Sequence, residues 1–121
     1  MAAFHIADYI AATRGNRFEM GRCDCCLWPS GYVAQVTGRN PMAGLVYATA
    51  FEARAVKMAH GGIVNLTRER MAFLPPGRDV VLAKWRGEII GGLMLDGLLF
   101  LKSARDVVMT RDFDLIHGWA V

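Results

Sequence analysis

The chain has 121 residues, 54% hydrophobic and 21% charged, with 13 Gly, 4 Pro, 3 Cys and a net charge of +3. A chain this apolar can bury enough surface to offset its ordering entropy, so disorder is excluded, and the length fits a single domain, 1–121, rather than two. The longest apolar and glycine run of its C-terminal half, Ile89–Leu95, is far short of the ~20 residues of a spanning helix. No membrane insertion is therefore expected, and the first eight residues show no basic and apolar export signal.

Phe4, Ile6, Ala7, Ile10 and Ala11 recur at helical spacing and stop at Gly15, which predicts a short amphipathic helix. An extended connector, Arg17–Arg22, should follow. Asp24 is a good N-cap residue, and Cys25–Val36 is predicted as a helix closed by Gly38. Pro29 falls just past its first turn, where it would deprive the Cys25 carbonyl of its usual partner and bend the helix start. Asn40-Pro41 predicts a cap and a short helical piece through Val46. Thr49-Ala50-Phe51-Glu52 matches a capping box, opening a helix that ends at His60-Gly61-Gly62, and Ile63–Met71 predicts another. Leu74-Pro75-Pro76-Gly77 should close the helical part, 1–74, because two prolines and a glycine continue neither element.

The pattern then becomes β-rich: Val80–Lys84, Ile89–Leu95, Leu98–Lys102 and Val107–Thr110, with Leu115–Val121 as a further strand. Arg86-Gly87-Glu88, Asp96-Gly97 and Ser103–Asp106 read as the turns, Asp96-Gly97 being a strong hairpin signal. The fold class is thus α+β, N-terminal helices packed on a C-terminal antiparallel β meander over 79–121.

The positive excess lies in residues 52–86, with 7 positive and 3 negative charges, at Arg54, Lys57, Arg68, Arg70, Arg78, Lys84 and Arg86. These cations are spread among carboxylates and hydrophobics, with no zinc-finger or RNA-recognition signature, so no specific nucleic-acid partner is expected. Trp28, Trp85 and Trp119 are anchors of core or interface; Trp85, between Lys84 and Arg86, is expected to be the most exposed.

Chemistry concentrates in Arg22-Cys23-Asp24-Cys25-Cys26-Leu27-Trp28. Three cysteines so close cannot staple distant segments, and the natural inference is a reducing compartment. As ligands for zinc or an iron–sulfur cluster Cys23, Cys25 and Cys26 are poorly spaced and need a fourth from elsewhere, so no metal or cofactor is expected and such binding stands only as a third, reserve reading. A cysteine at a helix N-terminus faces free N–H groups and the positive end of the dipole, which favours thiolate. Cys25, directly after the capping Asp24, is the candidate nucleophile. A cysteine hydrolase also needs a base within hydrogen-bond reach.

Asp24-Cys25 opening a helix ahead of a β meander resembles the NlpC/P60 branch of the papain-like fold. The chain is similar over nearly its whole length to an uncharacterised phage and prophage family related to those proteins. The likeness rests on Gly21-Arg22-Cys23-Asp24-Cys25-Cys26-Leu27, Thr37-Gly38-Arg39-Asn40-Pro41, Gly61-Gly62, Asp79-Val80 and Trp119. It implies a papain-like, NlpC/P60-type domain with Cys25 in the nucleophile position. It also implies a gene neighbourhood of tail-tip and baseplate hub proteins.

The departure from that pattern governs the expected function. The resemblance places Ile90 where an active enzyme has its histidine, and Leu98–Lys102 offers no His, Asn or Gln to orient a base. The histidines His5, His60 and His117 lie elsewhere. The expectation is a virion protein, a structural or assembly component of the distal tail whose partners are hub proteins. The alternative is a cysteine peptidase or amidase acting on peptidoglycan peptides, with Cys25 as nucleophile and its base from His60, His117 or another chain.

Overall fold

The computed structural model describes residues 2–104 and 106–121, without the side chains of residues 2–5. Among the described residues the architecture is α+β, four helices followed by five antiparallel strands. Helix α1 (Ala2–Thr13) buries Ile6 and Tyr9 on one face. Tyr9 donates its hydroxyl hydrogen to the Trp28 carbonyl at 2.5 Å, and Trp28 Nε1 donates to Thr13 Oγ1 at 2.8 Å. These two bonds lock α1 to α2 (Leu27–Thr37) while the aromatic bodies enter the core. Gly38 ends α2 in the left-handed region at φ 78, its N–H donating to the Ala34 carbonyl at 2.8 Å.

The helical piece expected at Pro41–Val46 does not form. Asn40 Oδ1 accepts from the Met42 N–H at 3.0 Å and starts one turn, which stops at Gly44, φ 87. The capping box opens α3 (Ala50–Ala59): Thr49 Oγ1 accepts from the Glu52 N–H at 3.1 Å, and Glu52 Oε1 accepts from the Ala48 N–H at 3.3 Å. Gly61 and Gly62 return N–H groups to Met58 and Lys57, and α4 (Ile63–Arg70) follows.

Strands β1 (Pro76–Trp85), β2 (Glu88–Leu95), β3 (Leu98–Lys102), β4 (Val107–Thr110) and β5 (Asp114–Trp119) form a sheet of order β4-β3-β2-β1-β5. The first four are the expected meander, and the last returns to the free edge of β1. Both tight turns, Arg86-Gly87 and Asp96-Gly97, have φ positive at both positions, the geometry that matches strand twist.

Strand β1 begins at Pro76, where the sequence predicts a break. Its pairing with β2 starts only at Val80, so Pro76 lies beside β5 alone, where a residue without an N–H is tolerated. One apolar cluster joins the helices to Val80, Leu82, Leu93 and Trp119; another gathers Val81, Ala83, Ile90, Leu99 and Leu101. As expected, Trp28 and Trp119 are buried and Trp85 is more exposed, with the Arg86 guanidinium 4.5 Å from its ring centre.

Lys102, at the end of β3, is only 2% exposed. Its ammonium donates to the carbonyls of Arg14 and Asn16 just past α1, so a cation closes the helix C-terminus and ties it to the sheet. Lys102→Met keeps most of the side-chain volume and removes that donor. It should lower unfolding free energy by about 1–3 kcal/mol in urea denaturation; unchanged stability would show that the bonds contribute nothing.

Candidate functional site

Asp24 organises the site. Its carboxylate is 2% exposed and has both oxygens engaged. Oδ1 accepts from the N–H groups of Cys26 and Leu27 at 2.9 and 2.8 Å; Oδ2 accepts from the Gly21 N–H at 3.0 Å and the Tyr47 hydroxyl at 2.7 Å. The Asp24 carbonyl accepts the Trp28 N–H at 2.9 Å, the first helical bond of α2. Asp24 therefore acts as the N-cap, with Cys25 opening the first turn ahead of the regular helix. Gly21 is required beside it: at φ 85, a Cβ there would lie 1.8 Å from the Tyr47 carbonyl oxygen.

Pro29 acts on the same turn. Lacking an N–H, it leaves the Cys25 carbonyl outside the helical ladder, and that carbonyl lies over β2. A Cβ on Gly91 would come within 2.7 Å of the Cys25 oxygen, so only glycine lets the helix start rest on the strand. Ser30 Oγ donates to the next carbonyl, that of Cys26, at 2.8 Å.

The three thiols differ. Cys25 is pulled below the ordinary thiol range, first by the hydrogen bond from Cys26, with help from the Lys57 charge and its own backbone N–H; burial and Asp24 oppose this. Cys26 is pushed well up by the same bond to Cys25 and by burial. Cys23 is raised, by burial first, against an opposing pull from the Lys102 charge, with the Asp24 charge adding a smaller upward push. Burial and the bond to Asp24 also push the Tyr47 phenol up, so it donates as a neutral group.

Cys25 and Cys26 open onto a cavity of about 320 Å³ between the start of α2 and α3, whose far wall holds Ala50, Ala53, Arg54 and Lys57. Among the described residues, no three His, Cys, Asp or Glu side chains are placed to hold a metal ion. Cys23 packs in the cluster beneath α1 and α2, and Cys25 against the cluster that contains Ile90.

The strand residue under the start of α2 is Gly91, with Ile90 just before it in the apolar cluster and Ile89 partly exposed. None of the three can take a proton. Among the described residues, the groups that shift the Cys25 thiol are Cys26, Asp24 and Lys57, with no imidazole among them. His60 ends α3, with Nδ1 3.7 Å from Glu69 Oε2. His117 lies on β5 opposite Leu82, its ring edge-on to Trp119 at 4.7 Å. His5 belongs to α1, and its side chain lies outside the described residues.

A domain of unknown function, DUF6950, matches residues 3–121. The chain belongs to that family. No curated protein and no solved structure matches it. Among the described residues, no helix is long and apolar enough to cross a membrane.

Sequence reasoning found Asp24, Cys25 and the cap, and missed Tyr47, Lys57 and the role of Gly91. Gly91 carried a signal, since a glycine inside a strand pattern marks a close backbone approach. Tyr47 and Lys57 carried none, because only the tertiary path brings them to Asp24 and Cys25. Asp24→Ala strips the cap and orphans the Tyr47 hydroxyl, and should cost about 2–4 kcal/mol in denaturant unfolding. Tyr47→Phe, which leaves the cap intact, should cost about 1 kcal/mol; equal losses would contradict the central place given to the carboxylate.

Proposed function

We propose that the chain is a papain-like, NlpC/P60-type domain that no longer hydrolyses its substrate. We infer that it serves as a structural or assembly component of a phage-type tail, beside the distal tip or baseplate hub. The observation that supports the reading is what lies beneath Cys25: the thiol sits at a capped helix start packed against the apolar cluster that contains Ile90, with its own carbonyl over Gly91. The two histidines with described side chains are occupied elsewhere, His60 against Glu69 and His117 against Trp119. A hydrolase needs a group to take the thiol proton and return it to the leaving amine, and among the described residues no imidazole is placed to do so.

An assembly role draws support from the surface. Phe51 and Met58, 79% and 73% exposed, lie on the outer side of α3, and Val46 precedes it at 86%. Where such side chains form a contiguous patch, they mark a surface that another chain covers. The expected partners are the hub proteins, and the expected location is the tail of the virion. Peptidoglycan enters only with the second reading, a cysteine peptidase or amidase, which the lowered Cys25 thiol favours.

Two measurements separate the readings. Purified tails analysed by mass spectrometry should contain the chain in a fixed ratio to the hub protein, and particles carrying Cys25→Ser should infect as well as native ones. Release of muropeptides by the purified chain, lost in Cys25→Ser, would establish the peptidase and end the structural reading.

A further inference from the structure

The cavity beside Cys25 has an unusual charge pattern. Two cations, Arg54 and Lys57, stand on its α3 wall. Among the described residues neither is in an ion pair, whereas Arg14, Arg22 and His60 each face a carboxylate. The one carboxylate of α3, Glu52, is held by the Thr49 cap, and the oxygens of Asp24 are turned to four other donors. Two cations against the one carboxylate that lines the cavity leave it a positive excess, which favours an anion.

A thiolate without an imidazole still has one reaction open to it. Thiol–disulfide exchange needs no proton transfer: the thiolate attacks one sulfur, the S–S bond breaks, and the other sulfur leaves as thiolate with the electron pair. We propose that Cys25 is an exchange site for small anionic disulfides, whose carboxylates lie against Arg54 and Lys57. The step is Cys25–S⁻ + R–S–S–R → Cys25–S–S–R + R–S⁻, which balances in atoms and charge and draws its oxidising equivalent from the small disulfide. The exchange removes the Cys26 bond to the Cys25 thiolate, but burial still disfavours a Cys26 thiolate and slows its attack on the new bond, so the mixed disulfide is the product that accumulates. This site is independent of a tail role and of whether any hydrolysis occurs.

The test compares three disulfides on the reduced native chain at pH 7 and low salt: oxidised glutathione, which is anionic; bis(2-hydroxyethyl) disulfide, which is neutral; and cystamine, which is cationic. Adducts are followed by intact mass and located by peptide mapping. One adduct is expected, on Cys25. The anionic-to-neutral rate ratio should be about tenfold higher than for free N-acetylcysteine, with the cationic disulfide slowest. Arg54→Met/Lys57→Met, two changes at the cavity rim, should return that ratio to the free-thiol value. First modification at Cys23, the same adduct in Cys25→Ser, no adduct at all, a free-thiol ratio in the native chain, or a ratio unchanged by the double substitution would each overturn the proposal.

Discussion

The buried carboxylate of Asp24 is the constraint on which the rest of the site depends. Four donors from three stretches of chain meet on its two oxygens: the Gly21 turn, the first turn of α2 and the loop that carries Tyr47. A buried charge is tolerable only when it is fully hydrogen-bonded, so each of these stretches is held where the carboxylate needs it. The cap fixes the direction of α2, and that direction sets Cys25 over Gly91. It also brings Tyr47 in as a wall of the cavity, with α3 opposite.

What the cap does for the thiol is distinct from what a catalytic base would do. The helix start, the Cys26 S–H and Lys57 stabilise negative charge on the Cys25 sulfur, which raises the thiolate fraction. Among the described residues, the groups that act on the sulfur stabilise a thiolate, and none is an imidazole. The frame presents exposed apolar side chains on α3 and a sheet edge at β5.

Much of this was legible before any coordinates because the signals were local. Asp24 before a helical run, Thr49 three residues ahead of Glu52, and the Arg86-Gly87 and Asp96-Gly97 turns each act within a few residues, and each formed. Local grammar misled where the sheet context decided. Pro76 begins β1 because only one of its flanks is paired, and Pro41 starts one turn because Gly44 ends it. Long-range pairings left no trace in the sequence: Lys102 reaching back to Arg14 and Asn16, Tyr47 reaching Asp24, and Lys57 reaching Cys25 all depend on how the chain returns on itself.

The claim that Cys25 is ionised by its helix start and by Cys26, and not by a histidine, can be read from its alkylation rate as a function of pH. The account predicts a single rise with a midpoint below that of an ordinary thiol and a flat plateau above it. A second inflection between about pH 6 and 7, removed by replacing any one of His5, His60 or His117, would reveal an imidazole against the sulfur and contradict it.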